Sequence, residues 1–184
     1  MKYDYIIRAV RNLKKRYKTA GPKEICRKLH IILNEVPMGT SPTAVKGFFI
    51  RNARKKVITI NSDLPAVVQR FILAHELGHA VIHGNSVRMF NDITLYDESS
   101  PEEKEANIFA AELLMEDEEV LEHLHSGCTF FTAASILDVP PEFLDFKIRV
   151  MQMKGLEVAL SPITSDSCFL KNIAIPDNHD YDPA

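Results

Sequence analysis

One stretch of this 184-residue chain decides its fold: Leu64-Pro-Ala-Val-Val-Gln-Arg-Phe-Ile-Leu-Ala-His-Glu-Leu-Gly-His-Ala-Val-Ile-His83. Pro65 suits the first turn of a helix, and Gly84-Asn85 just past the stretch favours a helix end. A mostly apolar stripe recurs along it at helical spacing, made of Val67, Arg70, Phe71, Ala74, Leu77, Gly78 and Val81. The stretch therefore predicts one long helix that packs against the core through this stripe.

The same helix carries His75-Glu-Leu-Gly-His79, which has the pattern H-E-x-x-H. Residues four apart on a helix differ by about 40° in azimuth, so both imidazoles can reach one zinc ion. Glu76 can flank that ion as a general base without entering its coordination. The pattern predicts His75 and His79 as zinc ligands and Glu76 as the catalytic base. Two surface histidines around an ordinary glutamate are the alternative.

A catalytic zinc ion usually has three protein ligands and a water molecule, so a third ligand must come from elsewhere. The next segment predicts a helix over residues 101–115 and offers four carboxylates: Glu102, Glu103, Glu105 and Glu112. From residue 106 onward this helix is apolar on nearly every side, and a buried carboxylate is costly without a partner. The spacing narrows the choice to Glu105 and Glu112 without deciding between them, and a salt-bridged structural acid is the alternative for either.

His83 is a further candidate ligand of the zinc ion. A helical rise of 1.5 Å per residue puts it about 12 Å from His75 along the axis, which is too far for the same ion. We interpret it as a histidine at the helix end, with a supporting role at the site as an open alternative.

The remaining pattern predicts an α+β fold with a mostly helical, zincin-like core. Helices are expected over residues 5–18, 23–29, 116–125 and in two parts of 129–153. Short β-branched or aromatic runs at 31–33, 45–50 and 57–60 predict a small three-stranded sheet, which we expect to be antiparallel, with a hairpin at 52–55. We divide the chain into a peptidase-type domain (1–126), a helix-turn-helix-like segment (127–155) and a C-terminal tail (156–184).

Composition and charge narrow the class of protein. The sequence has no apolar run of the roughly 18 residues that a membrane span needs, and its charged N-terminus does not suit a secretory signal. We expect a cytosolic protein whose three scattered cysteines are free thiols. Residues 1–60 hold 15 of the 22 Lys and Arg but only 3 of the 25 Asp and Glu. This asymmetry predicts either a docking surface for the substrate or a fold in which the basic and acidic parts of the chain neutralise each other.

Three segments together resemble the ImmA/IrrE family of metallo-endopeptidases: Ile60-Asn61, Arg70 to Gly84, and Glu105-Ala-Asn-Ile-Phe-Ala-Ala-Glu-Leu-Leu-Met115. The resemblance covers roughly residues 22–155. It implies one zinc ion held by His75, His79 and Glu105, with Glu76 as the base. Members of this family commonly have Pro where this chain has Glu116.

The resemblance also implies a protein substrate, a helix-turn-helix repressor that the enzyme cleaves to derepress a phage, a mobile element or a stress response. The alternative is a DNA-binding or protein-binding regulator in which the zinc site is structural. Residues 132–149 resemble a helix-turn-helix, but acids stand where phosphate contacts need Lys or Arg. The basic residues before position 60 are therefore better candidates for contact with DNA.

Overall fold

The computed structural model describes residues 3–18, 21–41, 43–52, 55–84 and 100–163. The predicted turn at 53–54, the connection at 85–99 and most of the predicted tail, 164–184, lie outside the described residues. The helices are α1 (Asp4–Tyr17), α2 (Pro22–Lys28), α3 (Ala66–Gly78), α4 (Pro101–Leu114), α5 (Asp117–His125), α6 (Phe130–Ile136) and α7 (Pro141–Met153), and the strands are β1 (Ile32–Val36), β2 (Gly47–Asn52) and β3 (Lys55–Asn61). The predicted α+β fold is confirmed.

The sheet has three strands in the order β1-β3-β2. As predicted, β2 and β3 pair antiparallel, with Gly47 opposite Ile60 and Asn52 opposite Lys55. The expectation of a wholly antiparallel sheet is wrong for β1, which runs parallel to β3. Strand β3 lies between the other two strands, and β1 and β2 run in opposite directions along its two sides. The sheet is therefore mixed.

Helix α3 lies between the sheet and α4, packing against β2, β3 and α4. Gly78 explains how closely the two helices approach. A Cβ at this position would lie 3.1 Å from Phe109 Cδ1 and 3.2 Å from Ala106 Cα. The glycine, which costs about 1 kcal/mol in a helix interior, is therefore accounted for by the close packing of α4.

A short turn joins α6 and α7, and Asp138 in it has a positive φ of 53°. The predicted likeness of this segment to a helix-turn-helix stays a prediction. Helix α7 packs against α4, and most of its length is buried, including Phe143, Leu144 and Ile148. Residues of α6 and α7 belong to the same hydrophobic core as α1, α3 and the sheet. The predicted boundary near residue 126 stays a prediction. Within the described residues, no helix is long and apolar enough to cross a membrane.

Candidate metal centre

The helix that carries H-E-x-x-H changes its geometry inside the motif. Helix α3 ends at Gly78, and His79–His83 continues the same rod as a π-helical turn. Single π-helical turns within α-helices occur frequently at functional sites. The predicted long helix is present, but its last turn is wider than the sequence pattern indicates.

Basic side chains from the sheet hold the end of this π-helical turn. Lys56 Nζ donates to the carbonyl oxygen of Ala80 at 2.5 Å, and Arg51 donates to the carbonyl oxygen of Gly84. The last carbonyls of a helix have no partner within it, and cations suit that end. The strands therefore fix the direction in which the turn presents its histidines.

Three buried side chains converge where α3 meets α4: His75, His79 and Glu103. His75 Nε2 lies 3.0 Å from Glu103 Oε2, and His79 Nε2 lies 3.4 Å from Glu103 Oε1. The two Nε2 atoms are 3.1 Å apart. Each residue offers one ligand atom, and the three atoms lie within 4.8 Å of one another. This group could hold a metal ion.

Burial and the close contacts shift the ionisation of all three groups. Burial would raise the pKa of Glu103, but its hydrogen bonds to both histidines lower it to about 2. Burial lowers the pKa of His79 to about 4, against the opposing effect of Glu103. Burial also disfavours protonated His75, but the hydrogen bond and charge of Glu103 raise its pKa above the usual value. Glu103 is thus an anion facing two imidazoles.

Glu76 is fully buried, and within the described part of the chain neither of its carboxylate oxygens has a hydrogen-bond partner. Burial raises the pKa of this carboxyl to about 8, against the opposing charge of His75. An unpaired carboxylate is costly in such a place, and a general base works best with a pKa near the working pH. The predicted role of Glu76 as the base stays a prediction, and its surroundings are compatible with that role.

The four carboxylates offered by α4 have different surroundings, and Glu102 accepts a hydrogen bond from Ser100 Oγ at 2.7 Å. Glu103 lies between His75 and His79, whereas Glu105 Oε2 lies 3.0 Å from His83 Nε2. Glu112 is an ion-pair partner of Lys147 and Lys154, with Nζ to oxygen distances of 2.7 and 2.9 Å. The structure thus brings together His75, His79 and Glu76 as expected, but it places Glu103 beside them instead of Glu105.

The sequence carries a signal for Glu103 that the spacing argument overlooks. Glu103 and Asn107 are four residues apart, so they share one face of α4. Asn107 Oδ1 lies 2.8 Å from His75 Nδ1, on the side of the ring away from Glu103. An acid and an amide at this spacing, opposite H-E-x-x-H, supply both a candidate ligand and a support for the histidine.

The motif helix packs against a small sheet and carries two of the three candidate metal ligands. Residues 26–149 match the Peptidase M78 family, described as the IrrE N-terminal-like domain. The chain belongs to this family.

The chain is also similar to a curated phage protein, the "Uncharacterized immunity region protein 2" of Bacillus phage phi105. The two are 35% identical over 146 residues, which cover 79% of this chain and 90% of the phage protein. No solved structure matches the chain significantly.

Proposed function

We propose that this protein is a zinc-dependent endopeptidase that cleaves a helix-turn-helix repressor. The observation that carries the proposal is the buried group His75, His79 and Glu103 beside the unpaired carboxylate of Glu76. Membership in a peptidase family and similarity to a phage immunity-region protein point to the same function.

The residues present fit a zinc ion. Two imidazoles and one carboxylate are the donor set of many catalytic zinc sites, which leave a fourth position open. His75, His79 and Glu103 would hold the ion. Glu105, which the family resemblance implies as the third ligand, is kept as the alternative that substitutions can separate. When bound, zinc acts as a Lewis acid that polarises a carbonyl oxygen and makes water more acidic.

Glu76 would handle the proton of the reaction. Its carboxylate takes a proton from water as the water oxygen forms a bond with the carbonyl carbon of the peptide. The same carboxyl then gives that proton to the amide nitrogen as the C–N bond breaks. The products are a carboxylic acid and an amine, and Glu76 returns to its carboxylate state.

Strand β2 would align the peptide. It lies at one side of the sheet, and a Cβ on its first residue, Gly47, would be 3.6 Å from Glu76 Oε1. An extended peptide that adds to the outer edge of β2 would therefore pass close to the proposed base. This arrangement supports cleavage of an extended segment of a protein.

A repressor is the substrate class that the phage relationship favours. The similar phage protein is named for an immunity region. A repressor bound to bacterial DNA is cytoplasmic, so we propose that the protein acts there. Direct DNA binding through α7 is disfavoured, because the helix that would enter the groove is mostly buried in the core.

The test uses zinc-loaded protein and purified helix-turn-helix repressors, beginning with any that is encoded beside this chain in its source DNA. Glu76→Gln keeps the size of the side chain but removes the base, so we expect cleavage to fall by about 10²- to 10⁴-fold. Zinc content should not change, because Glu76 is not among the proposed ligands. Gel electrophoresis and mass spectrometry follow cleavage, and metal analysis follows zinc.

The matched control is Glu119→Gln, a substitution at an exposed position on α5. This variant should cleave like the wild type. Undiminished cleavage by Glu76→Gln would defeat the proposed mechanism, and an intact repressor after incubation with wild-type protein would defeat the proposed substrate.

A further inference from the structure

A chain of polar contacts leads from His79 away from the candidate metal centre. His79 Nδ1 lies 3.1 Å from His83 Nδ1, and His83 Nε2 lies 3.0 Å from Glu105 Oε2. Burial and the nearby Glu105 raise the pKa of Tyr5 on α1. The polar contacts therefore join two elements, the π-helical turn and α4, beside α1.

The direction of each hydrogen bond follows from the position of His79. Its Nε2 faces Glu103 and His75, so a metal ion held there leaves the hydrogen on Nδ1. His83 Nδ1 lies 3.1 Å away and can accept that hydrogen. The hydrogen of neutral His83 consequently lies on Nε2, which points at the carboxylate of Glu105. One arrangement of hydrogens satisfies both contacts, from His79 to His83 and from His83 to Glu105.

Glu105 is well placed to end this chain. Its side chain is 21% exposed, whereas that of His83 is 9% exposed. The carboxylate accepts a hydrogen bond from His83 Nε2 at 3.0 Å. Helix α1 packs against both α4 and the π-helical turn, which holds these groups together.

We propose that His83 and Glu105 are positioning residues that fix the ring orientation and tautomer of His79 for metal binding. The proposal rests on the metal site described under the proposed function. Under this proposal Glu105 accepts a hydrogen bond from His83 and does not bind the metal. Partners in this position raise the basicity of a ligating histidine, and their loss typically costs 10- to 100-fold in metal affinity.

The experiment measures zinc affinity by competition with a chromophoric chelator, using the full chain and no substrate. His83→Phe removes the acceptor for His79 Nδ1, and we expect zinc to bind about 10- to 100-fold more weakly. His125→Phe, at an exposed histidine near the end of α5, is the matched control and should bind like the wild type.

Two substitutions at Glu105 separate the possible roles of this residue. The Glu105→Gln side chain still offers a carbonyl oxygen to His83 Nε2, so affinity should stay near that of the wild type. Glu105→Leu offers none, and affinity should fall as it does in His83→Phe. A ligand role predicts a large loss in both variants, because an amide is a poor substitute for a carboxylate at zinc. Thermal unfolding of the metal-free variants shows whether each one is folded.

The outcomes are distinct. Wild-type zinc affinity in both His83→Phe and Glu105→Leu overturns the positioning role and leaves the metal site intact. An equally large loss of zinc affinity in Glu105→Gln and Glu105→Leu assigns Glu105 as a ligand instead. A wild-type protein that binds no zinc overturns the metal site and the positioning role together. Rescue by Glu105→Gln alone supports the proposal, since a purely structural role would not depend on the acceptor oxygen.

Discussion

Asn107 Oδ1 accepts a hydrogen bond from His75 Nδ1 at 2.8 Å, across the contact between α4 and α3. Both residues are buried, so neither group can exchange this partner for bulk water. With the hydrogen held on Nδ1, the Nε2 atom of His75 is left to face Glu103 and His79. One amide on α4 thus sets the tautomer of a histidine on α3.

This contact predicts that Asn107→Leu weakens zinc binding. Leucine fills a similar volume but accepts no hydrogen bond, so His75 loses the partner that orients its ring. We expect affinity to fall by about 10- to 100-fold. Chelator competition on purified protein measures the change.

Asn107→Asp is the control for this prediction. A carboxylate oxygen accepts the same hydrogen bond and makes the imidazole a stronger donor to the metal, so affinity should be at least that of the wild type. If Asn107→Leu instead bound zinc as tightly as the wild type, the orientation of His75 would not depend on this contact.

The sequence predicts much of the fold because its strongest signals are local. The motif helix, the amphipathic α1 and the β2–β3 hairpin each depend on residues close together in the chain. The direction of β1 does not, because ten residues separate β1 from β2 and no local pattern encodes which side of β3 is taken. The mixed sheet is therefore a tertiary result.

At the candidate site, too, some residues follow from local sequence and others depend on tertiary packing. His75, Glu76 and His79 follow from one motif, whereas the choice among the carboxylates depends on which face of α4 meets α3. Glu103 and Glu105 are two residues apart, about 200° around a helix, so they face nearly opposite directions. The sequence alone does not fix that rotation, and the packing of Gly78 against Phe109 and Ala106 does.

Glu112 has a structural role that predicts stability loss without metal loss. Its buried carboxylate pairs with Lys147 Nζ at 2.7 Å, and the Lys147 side chain is only 1% exposed. Lys147 Nζ also lies 2.7 Å from Asp117 Oδ1, so the lysine keeps one anionic partner when Glu112 is removed. Losing a buried hydrogen-bond partner of a charged group costs about 1–3 kcal/mol. We expect Glu112→Ala to lower the free energy of unfolding by this amount, measured by urea denaturation, and to keep its zinc.

The control for Glu112 is Glu116→Ala. Glu116 also pairs with a lysine, Lys14, at 2.6 Å, but its side chain is 62% exposed. Exposed pairs contribute about 0–1 kcal/mol, so this variant should differ little from the wild type. A loss of zinc from Glu112→Ala at unchanged stability would make Glu112, rather than Glu103, a candidate ligand.

Gly47 links the sheet to the proposed catalytic residues, because β2 passes directly beneath α3 at this point. A Cβ on Gly47 would lie 2.5 Å from Ile72 Cγ2, a distance at which one of the two must shift. Ile72 is fully buried one turn before Glu76, so movement there displaces the part of α3 that carries the motif. We expect Gly47→Ala to lower the free energy of unfolding by about 1–3 kcal/mol, as overpacking does. Zinc affinity should fall as well, since His75 moves with α3.

Gly21→Ala is the matched control, because a Cβ at Gly21 meets nothing within 4 Å and its φ of −68° suits alanine. Urea denaturation and chelator competition measure the free energy of unfolding and the zinc affinity of both variants. If Gly47→Ala matched Gly21→Ala in both quantities, the position of α3 would not depend on the absence of a Cβ at Gly47.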